Sequence, residues 1–254
     1  MLRDVFVRLA STAAALARLA RDLMIPRGCA GCDMPDRVLC GDCTALMTEH
    51  VRFDLPGTLT GEGLACGAYR GPVRHAVLQW KDHGDEECDG PFSRLLADLL
   101  TGSGRLDGRP LLLVPAPSTS RSMHERGRWH MRQLTVRMAS RLKRDGYGDI
   151  AVVPLLRTVG AGGKSVQMSG AAQRAQRLDG HIAVTRRANA TGERRQVVLV
   201  DDIVTSGATM RYCVDALRRG GYDVLTAVVL AHTPLRRVDP EPAADGNCRS
   251  PHPR

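Results

Sequence analysis

The sequence predicts an α/β protein, a parallel sheet flanked by helices with a small four-cysteine segment ahead of it. Three observations carry this. Residues 197–209 read VVLVDDIVTSGAT, an apolar run that ends in two carboxylates and a loop of small and hydroxyl residues. A helical pattern and a second apolar run follow, so the unit is β–loop–α–β with an expected right-handed crossover. Near the other end, Cys29, Cys32, Cys40 and Cys43 form two C-x-x-C pairs seven residues apart. The chain has 254 residues, enough for one α/β domain and a small appendage.

Taken in order, residues 1–26 repeat apolar side chains at three- and four-residue spacing: Phe6, Leu9, Ala13, Leu16, Ala20 and Leu23. This predicts an amphipathic helix. It is expected to dock on the protein's own body, with loose membrane-surface binding as the other reading. Arg8, Arg18 and Arg21 interrupt any signal-peptide core, so a cytoplasmic protein is expected. No run of eighteen apolar residues occurs, and no membrane span is expected.

Residues 27–50 hold the four cysteines. Each C-x-x-C brings two thiolates to one turn, and the spacer allows the pairs to meet around a tetrahedral Zn²⁺. The segment has few apolar residues of its own, and a structural metal would supply the missing folding energy. A redox dithiol normally uses a single C-x-x-C, and structural disulfides would need export. Cys213 falls within the last helix as packing. Cys66, Cys88 and Cys248 carry no assigned role.

Residues 51–234 form the main domain. Val73, Ala76, Val77 and Trp80 make one helical face, with Lys81 near its end. Residues 111–114 are a strand closed by Pro115-Ala116-Pro117. Between Ser118 and Arg144 stand eight Lys/Arg and one acid, and Met131, Leu134, Met138 and Leu142 make the buried face of a helix there. Residues 152–156 are a further strand, 160–163 a flexible loop, 182–184 a short strand and 186–195 a polar hairpin or loop. Residues 196–200 form a strand buried on both faces, and Asp201 and Asp202 lie where it emerges. Thr205, Ser206, Gly207, Ala208 and Thr209 offer hydroxyls, a permissive glycine and the first amides of the next helix, which favour an anion. That helix stops at Gly220 and Gly221, and 224–231 returns as a strand. Residues 235–254 are rich in Pro, Asp and Arg and are expected to be a disordered tail.

An aspartate after a strand often only caps a helix, and hydroxyl-rich loops are common turns. The acid pair, the loop and the helix start in this fixed order favour a sugar phosphate. The stretch resembles the phosphoribosyl pyrophosphate (PRPP) loop of type I phosphoribosyltransferases. That resemblance implies that Asp201 and Asp202 meet the ribose hydroxyls and that Thr205, Ser206, Gly207, Ala208 and Thr209 wrap the 5′-phosphate.

The order of paired C-x-x-C, Tyr69-x-Gly71 with Lys81, VPAP, Arg126-Gly127 and the acidic loop is similar to the ComF family, which joins a zinc-binding segment to a phosphoribosyltransferase-like domain. The resemblance covers the chain from about 22 to 233. Arg128, Trp129 and His130 depart from the family's R-G-F-N-Q, while Gln167 and Arg174 match its later Gln and Arg and Arg177 stands near its Asn.

Two functions follow. As a transferase, the chain would bind PRPP or a related sugar phosphate with Mg²⁺ and pass phosphoribosyl to an unknown acceptor. Lys81, Arg121 and Arg126 would then stabilise the leaving pyrophosphate, and 160–174 would close over the site. As a non-catalytic accessory of DNA uptake, the family's biological setting, it would bind single-stranded DNA and work beside a helicase. A net charge of +9, a pI near 9.5 and the basic stretch fit this electrostatically. Aromatic content of 4% leaves few stacking platforms beyond Trp129.

Overall fold

The computed structural model describes residues 27–118, 127–159, 182–185 and 195–233. In chain order the elements are α1 (Gly41–Leu46), β1 (Val51–Asp54), β2 (Glu62–Ala68), α2 (Gly71–Asp82), α3 (Asp89–Gly102), β3 (Leu111–Pro115), α4 (His130–Arg144), β4 (Ile150–Val152), β5 (Leu156–Thr158), β6 (Ile182–Val184), β7 (Gln196–Val204), α5 (Ala208–Arg219) and β8 (Asp223–His232). A single 3₁₀ turn, Glu86–Cys88, leads into α3. The predicted α/β architecture is present.

Six strands form one sheet in the order β1-β2-β8-β7-β3-β4. Only the β1–β2 pairing is antiparallel; β2–β8, β8–β7, β7–β3 and β3–β4 are parallel. β5 and β6 make a separate antiparallel pair.

The two central strands explain their own sequence. Val198 and Val200 of β7 and Val228 and Leu230 of β8 pack with Val73, Val77 and Trp80 of α2, Phe92 and Leu96 of α3, and Leu134 and Met138 of α4. Val197, Leu199, Ala227 and Val229 point the other way, against Met210, Val214 and Leu217 of α5. A strand covered on both faces needs apolar side chains at every position, hence a run without alternation.

Three expectations change. The strand anticipated at 152–156 is instead the gap between β4 and β5. Pro154 has no N–H for the ladder, and Leu155 N–H turns back to the Val153 carbonyl at 2.9 Å. The strand anticipated at 196–200 runs on to Val204, still paired with β8, so Asp201 and Asp202 are strand residues. β1, β2 and α3 had not been anticipated. The expected helix at 1–26, Arg121, Arg126, the loop at 160–174, Gln167, Arg177, residues 186–194, the tail at 235–254 and Cys248 lie outside the described residues. Among the described residues, no helix is long and apolar enough to cross a membrane.

Candidate functional site

The site begins where β7 outruns its neighbour. β3 pairs with β7 only as far as Val200, while β8 accompanies it to Val204. Asp201–Val204 therefore has one open edge, facing Ala116, Pro117 and Ser118. A crevice of about 280 Å³ results, lined by these residues, Lys81, His130, Met131 and the stretch from Asp201 to Met210. It lies at the carboxyl ends of parallel strands, where open α/β sheets gather ligands.

Successive strand side chains point to opposite faces, so the two aspartates have different surroundings. Asp202 faces the α2/α4 side. Its Oδ2 accepts from Lys81 Nζ at 2.6 Å and lies 3.3 Å from His130 Nε2. Its Oδ1 accepts from Ile203 N–H at 2.7 Å. Burial alone would raise its pKa, but the hydrogen bond from His130 and the charge of Lys81 overcome this and hold it at about 2. Asp201 takes the α5 side, half-buried, and its Oδ1 accepts Asp202 N–H at 2.9 Å. Burial, with the adjacent charge of Asp202, pushes its carboxyl up to about 7.

The loop is only Thr205, Ser206 and Gly207. Gly207 has φ +73°, a left-handed conformation that a side chain disfavours, and a Cβ there would press on the Arg211 guanidinium at 3.0 Å. It caps α5 without a side-chain bond. The amides at the start of α5, Ala208, Thr209 and Met210, have no partner within the helix. Ala208 N–H reaches Ser206 Oγ only at 3.4 Å, and Arg211 Nη2 donates to the Ser206 carbonyl at 3.0 Å. Loop and helix start thus offer an anion amides, hydroxyls and the positive end of the helix dipole.

Of the site residues named from sequence, Asp201, Asp202, Lys81 and all five residues 205–209 line this one crevice. His130 is the addition. It opens α4, is 3% exposed, and stands edge-on to Trp80 with ring centroids 5.0 Å apart. Its signal in the sequence was its place in the departure from R-G-F-N-Q. Beside it, Asp89 at the start of α3 is 2% exposed and accepts from Trp80 Nε1 at 2.6 Å and from Arg128 Nη1 at 3.1 and 3.2 Å.

The four cysteines converge. Their sulfurs all lie within 4.8 Å of one another, and tetrahedral zinc with bonds near 2.3 Å sets sulfurs about 3.8 Å apart. Cys29 Sγ accepts Cys40 N–H at 3.2 Å, and Cys40 Sγ accepts Cys43 N–H at 3.5 Å. Such N–H···S bonds orient metal thiolates. Cys29, Cys40 and Cys43 are buried and Cys32 is exposed. This donor set fits a closed structural metal site. Cys66, Cys88 and Cys213 are buried thiols apart from it.

The basic stretch is also placed in part. Arg137, Arg141 and Arg144 of α4, with Arg94 of α3, Ser93 and Ser140, line a groove of about 310 Å³ between the two helices.

Residues 133–250 match the family model described as "Phosphoribosyl transferase domain". Over 55 residues the chain is 38% identical to an orotate phosphoribosyltransferase of Phenylobacterium zucineum (strain HLK1); the match spans 22% of this chain and 28% of that relative's length. Among solved structures, a hypoxanthine phosphoribosyltransferase from Staphylococcus aureus aligns at 19% identity and TM-score 0.32, covering 62% of this chain and 71% of that one. An orotate phosphoribosyltransferase from Aeropyrum pernix aligns at 17% identity and TM-score 0.32, covering 71% and 73%. The acid pair and its loop lie inside the residues that match the family model.

Proposed function

We propose that the crevice at the end of β7 binds PRPP or a closely related sugar phosphate. The observation that carries this is the convergence on one space of two carboxylates, three hydroxyls and the amino end of α5. Thr205 to Thr209 cup the 5′-phosphate, and Asp201 and Asp202 take the ribose hydroxyls. Lys81 stands beside Asp202, where it meets the pyrophosphate end. Mg²⁺ bound to that pyrophosphate would neutralise part of its charge. In the transfer itself the C1′–O bond breaks, its electron pair leaves with pyrophosphate, and an acceptor lone pair forms the new bond at C1′. The acceptor is not assigned.

Calorimetry with PRPP and Mg²⁺ tests this. Binding should weaken about tenfold or more in Asp201→Ala and in Asp202→Ala, the scale of one lost charge-assisted hydrogen bond. Unchanged heats in both variants reject the assignment. Pyrophosphate release against a panel of bases and nucleotides then separates transferase from binding protein.

We place the chain with the ComF-like proteins on the order of its motifs, and assign Zn²⁺ to Cys29, Cys32, Cys40 and Cys43, in a cytoplasmic protein. Elemental analysis should find about one zinc per chain, and Cys29→Ser or Cys43→Ser should lower it and destabilise the fold. Full retention of metal in both variants would argue against a four-thiolate site.

A second reading, single-stranded DNA binding beside a DNA-uptake helicase, draws on the groove between α3 and α4. It predicts an affinity that falls steeply with salt and a shallower slope after neutralising Arg137, Arg141 and Arg144. A flat salt profile, or no binding, removes it.

A further inference from the structure

This inference rests on the zinc assignment and, for its effect on binding, on the sugar-phosphate reading. It concerns the chemistry of one sulfur in the four-cysteine cluster. Cys29, Cys40 and Cys43 are buried, at 3%, 3% and 2% exposure, whereas Cys32 is exposed. Cys29 and Cys32 also line a cavity of about 480 Å³, together with His75 and Gln79 of α2 and Asp85. A small solute therefore reaches the cluster at Cys32.

A sulfur held as a metal ligand is a thiolate, and the thiolate is the nucleophilic form. Accessible thiolates are oxidised first, and the product depends on whether a second sulfur is close. Here one is: Cys40 Sγ lies 3.5 Å from Cys32 Sγ. A disulfide needs about 2.05 Å, so a closing shift of about 1.5 Å suffices. The thiols of Cys66, Cys88 and Cys213 are fully buried and stand apart from the cluster.

We propose that Cys32 is a peroxide-sensitive modification site with Cys40 as its resolving partner, and that joining them empties the metal site and loosens α2. The Cys32 thiolate attacks hydrogen peroxide, the O–O bond breaks, and Cys32 becomes a sulfenic acid as hydroxide leaves. The Cys40 thiolate then attacks that sulfur. The S–O bond breaks, a second hydroxide leaves with its electron pair, and the disulfide is formed. Two thiolates have lost two electrons and one peroxide has taken them.

Two of the four ligands are then gone, and with them the folding energy that a bound metal supplies. Cys29 and Cys43 are not held by the new bond. A Cβ on Gly31 would lie 2.7 Å from Cys43 Sγ and 3.0 Å from the Pro72 carbonyl, so the cluster presses directly on the first turn of α2. Ala30 and Met47 pack in one apolar cluster with Val73, Val77 and Trp80 of that helix. The far end of α2 sets Lys81 Nζ 2.6 Å from Asp202. Releasing the helix at its first turn loosens the crevice at its last.

The test uses the zinc-loaded full chain carrying Cys248→Ser, which removes a cysteine outside the described residues, and adds hydrogen peroxide stepwise. A chromogenic chelator reads zinc release, mass spectrometry after alkylation reads which cysteines are joined, and hydrogen exchange reads residues 71–82. About one zinc should leave per bond formed. The first bond should be Cys32–Cys40, with Cys66, Cys88 and Cys213 still thiols, and exchange over 71–82 should quicken. PRPP affinity with Mg²⁺ should fall about tenfold, as when one molecule in ten keeps α2 in place. Reductant with added zinc should reverse all of these. A first bond that omits Cys32 or Cys40, or over-oxidation of Cys32 with no bond, overturns the assignment. Unchanged exchange over 71–82 once the bond has formed overturns the link to α2. If the purified chain takes up no zinc, the metal assignment falls and this proposal with it. If the untreated chain binds no PRPP while zinc leaves and exchange quickens, the sugar-phosphate reading falls and the cysteine assignment stands.

Discussion

Arg128→Ala is expected to destabilise the fold by about 3–5 kcal/mol, the usual cost of leaving one half of a buried ion pair alone. Arg128 Nη1 spans both oxygens of Asp89, and the two side chains are 8% and 3% exposed. The guanidinium carbon lies 5.9 Å from the centre of the Trp80 ring, within cation–π reach. With the guanidinium removed, Asp89 keeps the Trp80 indole and Arg137 Nε at 3.6 Å, and the latter is largely in solvent. Chemical denaturation followed by the fluorescence of the two tryptophans measures the loss. Asp89→Asn in the same chain should recover part of it, because the stranded charge is gone. A loss below about 1 kcal/mol would mean that Asp89 finds water or Arg137 an adequate substitute.

The second large effect is on pH dependence. Asp201 has its carboxyl raised to about 7 by burial and by the charge of Asp202, against about 3.9 in an unfolded chain. The folded state thus prefers the protonated acid. Its contribution to stability is complete below about pH 3.9, declines as pH rises, and is gone above about 7. Asp202 runs the other way. Held at about 2, it stabilises above about pH 3.9, and that stability is lost as pH falls through 2. Between pH 4 and 8 the acid pair therefore tilts stability only through Asp201. His232, lowered by burial, adds a slope of opposite sign. The difference between wild type and Asp201→Asn isolates the aspartate. At pH 8 the variant should be the more stable, by on the order of 1–3 kcal/mol after allowing for partial exposure, with the advantage shrinking toward pH 4. Parallel curves across that range would show that Asp201 ionises as it does in water.

The β7–α5–β8 unit was legible because central parallel strands leave an uninterrupted apolar run and α5 begins at a glycine that breaks it. The buried faces of α2 and α4 were legible from helical spacing alone. The cysteine cluster could be read from two intervals. β2 was not, since EGLACGA is built of small residues with little strand character. Its partners make it a strand, and Gly63 leaves room for the Phe53 ring. α3 carries its own helical pattern in Phe92, Leu96 and Leu99. Pro154 showed where a strand had to break, and its lack of a donor outweighed the apolar residues around it. The environment of Asp202 had no local signature. His130 stands 72 positions away in the chain, and only the fold brings it and Lys81 to one oxygen.

A Cβ placed on Gly67 would lie 2.5 Å from the Leu46 carbonyl, so the end of α1 rests directly on the bare backbone of β2. Met47, fully buried, continues into the same apolar cluster as Trp80, together with Ala30, and Arg27 ties to Asp85 and Glu87. Anyone trimming the protein for expression would be tempted to cut just after position 50, at the seam the sequence advertises. That cut would strip the cover from the helix that carries Lys81, so the shortened product should precipitate or unfold rather than survive as a sturdier fragment.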